Sequence, residues 1–264
     1  MQRSEYTAAN RAAWNEAAPL HQKQNFEELL AAFRQPGYNR LDRVATEQLK
    51  AIGLESKAVV HLCCNNGREL LSVKNLGAGR CVGIDISDGF VEQARTLSKA
   101  AGLDCEFHRH DIYDIPATYD GQFDLTMITV GALGWMPRID DFFGTVVRLL
   151  KPGGWLAIYE MHPLLDMFDE DDPMIPPQLK ESYFREKPFV DVSGLDYYGH
   201  SQYKSAPMYW FHHKLCDIIQ GCLDHGLSIK HFREYEHDIS AVFANFERQR
   251  ISLPLSYTLT ARRG

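Results

Sequence analysis

A short apolar run at residues 58–62 gives way to small polar residues at Cys63, and this polar stretch ends at Gly67. A helical pattern begins directly afterwards, at Arg68. An apolar run of this kind is typical of a buried parallel strand, and the break is typical of a tight turn from a strand to a helix. Such a turn leaves unpaired backbone N–H groups at the start of the helix, where they face whatever binds there.

Strands and helices alternate from residue 58 to residue 160. The predicted strands cover residues 58–63, 80–85, 104–108, 123–129 and 155–159, and helices begin near residues 68, 88 and 139. This alternation indicates a parallel sheet that is covered by helices on both faces. The second strand ends in Asp85, roughly 18 residues after Gly67, where an acid is placed to hold a ribose by its hydroxyls.

The flanking regions differ from this alternating core. Helical spacing at 10–15, 26–33 and 41–52 predicts helices in residues 1–57. The alternation fails from 163 to 209, where six prolines and many aromatic residues indicate a lid or a binding loop. A helix is expected at 213–225, with strands at 227–235 and 251–261. The predicted organisation is an N-terminal helical extension or lid (1–57), a core (58–162 and 210–264) and a substrate cap inserted at 163–209.

The composition limits which classes of partner and which cell compartment suit this chain. The chain has 264 residues, 45% of them hydrophobic, and a net charge of −7 with a pI of about 5.9. This acidic balance disfavours a nucleic-acid partner, which usually meets a basic surface. No stretch resembles a signal peptide or a membrane span, and six cysteines without a CxxC pair do not predict a zinc site. We expect a reduced, cytoplasmic protein without a membrane partner, and the sequence leaves the oligomeric state open.

Five landmarks occur in order along the predicted core. They are the strand-turn-helix unit at 58–67, Val-Gly-Ile-Asp-Ile-Ser at 82–87, Asp111-Ile112, Gln-Phe-Asp-Leu at 122–125 and Leu-Leu-Lys-Pro-Gly-Gly at 149–154. In this order they resemble the class I S-adenosylmethionine-dependent methyltransferases. The resemblance implies an α/β fold with a Rossmann-like sheet of seven strands, helices on both faces and an antiparallel last strand. It also implies S-adenosylmethionine as the cofactor.

The resemblance further implies roles for nine residues. The turn with Cys63, Asn65 and Gly67 would approach the methionine part of the cofactor, and Thr129 and Val130 would offer backbone carbonyls to its ammonium group. Asp85 would accept hydrogen bonds from both ribose hydroxyls. Asp111 would accept a hydrogen bond from the adenine amino group, and Ile86 and Ile112 would lie against the adenine ring. The aspartates would alternatively only cap the helices that follow, but the occurrence of both together favours a binding role. The two isoleucines are equally suited to the core.

The first landmark departs from the family pattern. The family usually has an acid followed by glycines at alternate positions, whereas this sequence has histidine, cysteine, asparagine and glycine at positions 61, 63, 65 and 67. Because asparagine tolerates left-handed backbone better than most residues, we expect Asn65 or Asn66 to replace a glycine. We expect this departure from the family pattern to affect the affinity for the cofactor more than the fold.

A general base is predicted at His162, which follows the fifth strand at the ligand-binding edge of the sheet. Pro163 restricts His162 to extended backbone, which limits where the ring points. The alternative is a hydrogen-bonded structural histidine. Trp135 and Trp210 are candidates for the wall of an acceptor pocket, although large aromatic residues are more often core.

Further candidates have simpler structural explanations. An N-terminal lid would be formed by Trp14, His21 and Tyr38. A second group of histidines, His200, His212 and His213, includes two that precede a helix and suit its cap. The acidic run at 166–172 invites a hard cation, but a solvated loop explains it better because no glycine-spaced loop pattern accompanies it. No metal site is therefore predicted.

The sequence favours a methyltransferase that acts on a small molecule by in-line displacement, because the aromatic insertion at 163–209 would enclose a compact acceptor. A nicotinamide-dependent oxidoreductase is compatible with Asp85 alone, but the G-x-G-x-x-G pattern is missing. A non-catalytic module that binds S-adenosylmethionine is the other alternative, and the altered glycine pattern motivates it.

Overall fold

A seven-stranded mixed sheet organises the structure, a computed structural model that describes residues 1–169, 176–196, 199, 201 and 203–264. The strands are β1 (Val59–Leu62), β2 (Cys81–Asp85), β3 (Cys105–Arg109), β4 (Phe123–Thr129), β5 (Leu150–Met161), β6 (Phe189–Asp191), β7 (Met208–Trp210), β8 (Leu227–Tyr235) and β9 (Ser256–Arg263). The helices are α1 (Arg3–Phe33), α2 (Arg43–Ile52), α3 (Arg68–Asn75), α4 (Asp88–Ala101), α5 (Ile139–Leu149), α6 (Leu215–Asp224) and α7 (Ala244–Arg248).

The strand order of the large sheet is β3-β2-β1-β4-β5-β9-β8. The pairs among β1 to β5 are parallel, whereas β9 is antiparallel to both β5 and β8. The predicted α/β fold with seven strands and an antiparallel last strand is thus confirmed. The order reverses between β1 and β4, and open sheets of this kind bind ligands beside such a reversal.

Both faces of the sheet are buried, which explains the apolar character of its central strand. Val60 and Leu62 of β1 point into one hydrophobic cluster, and Val59 points into the other. All four residues of β1 are buried, including His61. A strand covered by helices on both sides reads as a continuous apolar run rather than an alternating one.

Tertiary packing changes several predicted boundaries. The helix α1 runs unbroken through Pro19, where helical spacing was evident only at 10–15 and 26–33. The glycine turn before the fifth strand lies inside β5, because Gly153 takes a φ of 76° and the register against β4 shifts there. The hairpin of β6 and β7 and the short helix α7 were not predicted. Among the described residues, no helix has the length and apolar character needed to cross a bilayer.

Candidate active site

A cavity opens at the carboxyl ends of β1, β2 and β4, beside the reversal of strand order. Its empty volume is about 760 Å³, part of it open to solvent. We name it the first cavity. Seven of the nine predicted cofactor-binding residues line it, namely Cys63, Asn65, Asp85, Ile86, Asp111, Ile112 and Val130.

The turn after β1 keeps a glycine-type backbone although two of its three alternate positions are not glycine. The φ angles are 56° at Cys63, 50° at Asn65 and 78° at Gly67. The prediction that an asparagine here takes left-handed backbone is confirmed at Asn65. Cys63 was not foreseen in this conformation, which costs a non-glycine residue roughly 1–2 kcal/mol. The turn therefore follows the path that alternate glycines would allow, at some cost in stability.

The two predicted residues outside the first cavity, Gly67 and Thr129, have structural contacts of their own. A Cβ atom at Gly67 would lie 2.6 Å from the Phe107 ring and 3.0 Å from the Cβ of Ala94, so close packing requires glycine here. The hydroxyl of Thr129 lies 2.9 Å from Nε2 of His61. Burial lowers the pKa of His61 to about 4, so its ring is neutral at pH 7. Cofactor contacts at Gly67 and Thr129 stay predictions.

Asp85 is held in place by the backbone on both sides of the first cavity. Its Oδ2 accepts the Asn65 N–H at 2.8 Å, and its Oδ1 accepts the Ser87 N–H at 2.8 Å. Burial raises the pKa of Asp85, while these N–H groups oppose that rise. The helix α4 is capped by Ser87 rather than Asp85. A carboxylate has about four lone-pair sites, so these bonds leave Asp85 able to accept from a ligand as well.

Asp111 combines the two roles that the sequence left open. Its Oδ1 accepts the Tyr113 N–H at 3.1 Å and so caps the short 3-10 helix Ile112–Asp114. The same residue lines the first cavity, as does Ile112, which is also part of the core. Ile86 lines the cavity too. A ligand role and a structural role therefore coincide at this corner.

The charge of the first cavity is one-sided. Two carboxylates, Asp85 and Asp111, line it, whereas none of its described lining residues is lysine or arginine. Carboxylates in a partly enclosed site attract a cation and repel an anion more strongly than in water. The cavity is thus suited to a positively charged ligand with hydroxyl and amino donors.

Glu160, at the end of β5, is a site residue that the sequence did not reveal. Its carboxylate accepts backbone N–H groups from Gly131 and Ala132, each at 2.7 Å, and from Leu133 at 3.0 Å. Burial raises the pKa of Glu160 to about 7, although these bonds oppose the rise. The carboxylate thereby fixes the loop after β4, part of which lines the first cavity. A lone acid at the end of an apolar strand was the available signal.

The N-terminal helix supplies a wall of the first cavity. Thr7, Asn10 and Trp14 line it from α1, and their spacing places them on one helical face. The Asn10 side chain donates to the Tyr209 carbonyl at 3.0 Å and accepts its N–H at 2.7 Å, which ties α1 to β7. Of the predicted lid residues, only Trp14 lines this cavity.

The other two predicted lid residues pack elsewhere. Nε2 of His21 lies 2.6 Å from the Leu195 carbonyl oxygen. The Tyr38 ring packs edge-on against Phe33, with 4.9 Å between ring centroids. Trp14 contacts both His21, with ring centroids 6.3 Å apart, and Trp135, with centroids 5.2 Å apart. Trp135 also lines the first cavity, and its place in an acceptor wall stays a prediction.

His162 lies apart from the predicted cofactor residues, in a second cavity of about 360 Å³ that is open to solvent in part. Nδ1 of His162 accepts the Leu164 N–H at 3.1 Å, which places the ring proton on Nε2, 3.0 Å from Glu234. Burial lowers the pKa of His162, and Glu234 opposes this. Both ring nitrogens are engaged, so the arrangement is that of a positioned histidine, and its role as general base stays a prediction.

The remaining candidates also take structural roles. Asp166 accepts the Trp210 indole N–H at 3.0 Å and lies 2.8 Å from Nδ1 of His212. Nε2 of His213 lies 2.8 Å from the Met136 carbonyl oxygen. His200 and residues 170–172 of the acidic run lie outside the described residues. Within the described parts of the chain, no cluster of three or more histidine, cysteine or acidic side chains suits a metal ion.

Residues 59–154 match the family model of a methyltransferase domain. The fold is shared with solved methyltransferases: a geranyl diphosphate C-methyltransferase from Streptomyces coelicolor A3(2) superposes with a TM-score of 0.66 over 98% of both chains at 13% identity. The match of residues 59–154 supports the predicted resemblance to the class I S-adenosylmethionine-dependent methyltransferases for this part of the chain. The predicted fold is therefore confirmed, and residues 59–154 carry the predicted methyltransferase resemblance.

Curated relatives match this chain over only part of their own length. A 24-methylenesterol C-methyltransferase 2 from Oryza sativa subsp. japonica is 32% identical over 102 residues, which is 37% of this chain and 27% of the relative. A phthiotriol/phenolphthiotriol dimycocerosates methyltransferase 1 from Mycobacterium ulcerans is 25% identical over 62% of this chain and 58% of its own length. Across three of the curated relatives that it matches, the chain spans 27%, 36% and 31% of the relative's length.

Proposed function

We propose that this chain transfers the methyl group of S-adenosylmethionine to a small-molecule acceptor. The one-sided charge of the first cavity carries the proposal. Asp85 and Asp111 would stabilise a cationic sulfonium nucleoside with hydroxyl and amino donors. The same carboxylates would repel the pyrophosphate of a nicotinamide cofactor, which makes the oxidoreductase alternative the weaker one.

The binding roles are those that the family resemblance implies, and the placement of seven of the nine residues around the first cavity supports them. The free lone pairs of Asp85 would accept both ribose hydroxyls, and Asp111 would accept the adenine amino group through its unused oxygen. Ile86 and Ile112 would pack against the adenine ring. The turn at Cys63, Asn65 and Gly67 would lie beside the methionine part, with the Thr129 and Val130 carbonyls near its ammonium.

Methyl transfer then requires alignment more than acid–base chemistry. The bound cofactor supplies an activated methyl group, so the chain's task is to orient the acceptor and exclude water. Trp14, Trp135 and Met136 form an apolar side of the first cavity that suits both tasks. His162 is a proposed base only if it gives up its bond with the Leu164 N–H.

The acceptor class and the compartment belong to the same proposal. Relatives are named as methyltransferases of sterols and of geranyl diphosphate, which are small molecules. We extend that class, though not those substrates, to this chain, with residues 1–57 and 163–209 as lid and cap and no nucleic-acid partner. All six cysteines are free, which suits a reducing cytoplasm.

Calorimetric titration tests the proposal. We expect S-adenosylhomocysteine to bind the wild-type chain and NADH not to bind. Asp85→Asn should weaken S-adenosylhomocysteine about 100-fold, because charge-assisted hydrogen bonds contribute roughly 1.5–3 kcal/mol each. The exposed Asp104, changed to asparagine, is the matched control and should leave the affinity unchanged.

Two results would count against the proposal. Equal affinities of the wild-type chain and Asp85→Asn for S-adenosylhomocysteine would show that Asp85 is not part of its binding site. NADH binding without S-adenosylhomocysteine binding would favour the oxidoreductase. A non-catalytic module, which the non-glycine turn residues Cys63 and Asn65 still motivate, would bind S-adenosylhomocysteine but release none from S-adenosylmethionine with any tested acceptor.

A further inference from the structure

Glu160 lies between the two cavities. Its side chain lines the second cavity, and the three backbone N–H groups that its carboxylate accepts belong to residues 131–133. Two of these residues, Gly131 and Ala132, line the first cavity. Only 4% of Glu160 is exposed. The buried carboxylate therefore lies directly behind the wall of the first cavity.

The strand register places Glu160 near the end of the first cavity that is assigned to the methionine part of the cofactor. The strands β1 and β5 pair with β4 on its two sides. Glu160 directly follows Tyr159, which pairs with Thr129 at the end of β4, and Cys63 directly follows β1. Because neighbouring strands lie about 4.8 Å apart, the backbones at Glu160 and Cys63 are roughly 10 Å apart.

The Cys63 thiol is close to three carboxylates. Burial, and then the charges of Asp85, Glu160 and Asp111, raise the pKa of this thiol well above its ordinary value. Asp85 and Asp111 line the first cavity where the ribose and the adenine are expected. Glu160 therefore adds a third negative charge, on the side of the cavity where the methionine part is expected.

The cofactor and its product differ in charge at the sulfur atom. The sulfur of S-adenosylmethionine is a sulfonium cation, whereas the sulfur of S-adenosylhomocysteine is an uncharged thioether. A buried carboxylate attracts a nearby cation more strongly than a solvated one does, because its surroundings screen the charge less. The cation in turn favours the ionised form of the carboxyl group.

We propose that Glu160 is a specificity-determining residue whose negative charge makes the first cavity prefer S-adenosylmethionine to S-adenosylhomocysteine. The inference rests on the proposed methyltransferase function. Its consequence for turnover is that the first cavity binds the product more weakly than the cofactor, because the positive charge on sulfur is lost when the methyl group is transferred.

The charge of Glu160 depends on pH in the neutral range. Burial raises the pKa of Glu160 to about 7, and its bonds with backbone N–H groups oppose this rise. The second cavity is open to solvent in part, so the carboxyl group can exchange its proton with water. Because a nearby cation lowers this pKa, binding of S-adenosylmethionine should release a proton and become tighter as the pH rises through 7.

Several other titratable groups face Glu160 from the surrounding elements. They are His162 on the same chain segment, Tyr257 of β9, Cys63 after β1, Asp166 and His213 across the second cavity, and Glu234 of β8, which is bonded to His162. Burial lowers the pKa of both histidines, so their rings are neutral at pH 7. Burial also raises the pKa of Tyr257 and Cys63, which keep their protons. We therefore assign the expected pH dependence near 7 to Glu160.

Calorimetric titration with both ligands tests the proposal. The measured quantity is the dissociation constant of S-adenosylhomocysteine divided by that of S-adenosylmethionine. For the wild-type chain this ratio should rise about sixfold from pH 5.5 to pH 7.5, which is the result if the cation lowers the pKa of Glu160 by about one pH unit. A ratio that stays constant over this range would overturn the proposal.

Glu160→Gln keeps the shape of the side chain and removes its charge. At every pH this variant should show about the ratio that the wild-type chain shows at pH 5.5. Glu28→Gln is the matched control, because it removes the same charge at an exposed position of α1, roughly 21 Å along the helix from Trp14, and it should behave like the wild-type chain. If Glu160→Gln weakens both ligands but keeps the wild-type ratio, the role of Glu160 is purely structural and the proposal is overturned.

Proton release on binding gives a second measurement, which needs only the wild-type chain. Titrations at pH 7 in two buffers of different ionisation enthalpy should show that S-adenosylmethionine releases roughly 0.4 proton more than S-adenosylhomocysteine does. Equal proton release with both ligands would overturn the role of Glu160 and leave the proposed function intact. Failure of both ligands to bind would overturn the proposed function and this inference together.

Discussion

At the scale of single residues, backbone conformation explains more of the site than residue identity does. Cys63 and Asn65 adopt the left-handed φ that glycine would adopt at these positions. The asparagine was predictable from its known tolerance of this region. The cysteine was not, because nothing in its local sequence signals a positive φ. Only the path of the chain from β1 to α3 requires it.

Substitution of Gly67 tests whether close packing or backbone freedom fixes this turn. Gly67→Ala should destabilise the fold by about 2–5 kcal/mol, because left-handed strain adds to overlap with Phe107. Gly102→Ala is the matched control: its φ is 63° but no atom lies within 4 Å of the added methyl group. It should cost only about 1 kcal/mol.

Chemical denaturation measures both variants. Equal losses in the free energy of unfolding for Gly67→Ala and Gly102→Ala would show that strain alone governs Gly67. That result would contradict the close packing of α3 against β3 and α4 described above.

At the scale of elements, two strands carry buried groups with opposite responses to pH. The folded-state pKa of Glu160 on β5 is about 7, above its ordinary 4.5. Its contribution to stability is therefore present below pH 4.5 and is lost as the pH rises through 7. The folded-state pKa of His61 on β1 is about 4, below its ordinary 6.5. Its contribution is present above pH 6.5 and is lost as the pH falls towards 4.

Between about pH 4.5 and 6.5 the contributions of Glu160 and His61 to the free energy of unfolding should change with pH in opposite directions and cancel. Removal of one group should therefore reveal the pH dependence of the other. In His61→Gln the free energy of unfolding should fall, relative to the wild-type chain, by about 1.4 kcal/mol per unit of rising pH between about pH 5 and 6. Urea denaturation at several pH values measures this slope. In His231→Gln, at an exposed position on β8, the free energy of unfolding should depend on pH as it does in the wild-type chain. A parallel curve for His61→Gln as well would contradict the assignment.

Elements with a strong local pattern were predictable, and those made by long-range contacts were not. The strands β4 and β8 have the predicted bounds, because apolar patterning and turn residues delimit them. The β6–β7 hairpin has only three residues in each strand. The bond of β7 to Asn10, far away in the chain, ties it to α1. Such contacts leave no periodic signal in either segment.

At the scale of the whole molecule, the sheet order decides where a ligand binds. The carboxyl ends of β1, β2 and β4 meet beside the reversal of strand order, and the family landmarks fall at those ends. The sequence therefore predicted most of the first cavity. It could not predict Glu160 or the α1 wall, because their roles depend on loops and helices that meet only after the sheet has formed.

A crystal structure with S-adenosylhomocysteine tests the central claim most directly, namely that the first cavity holds a sulfonium nucleoside through its carboxylates. The account predicts the nucleoside in that cavity, with both ribose hydroxyls within hydrogen-bond distance of Asp85 and the adenine between Ile86 and Ile112. A nucleoside bound elsewhere, or a cavity filled by the protein's own side chains in that crystal, would contradict it.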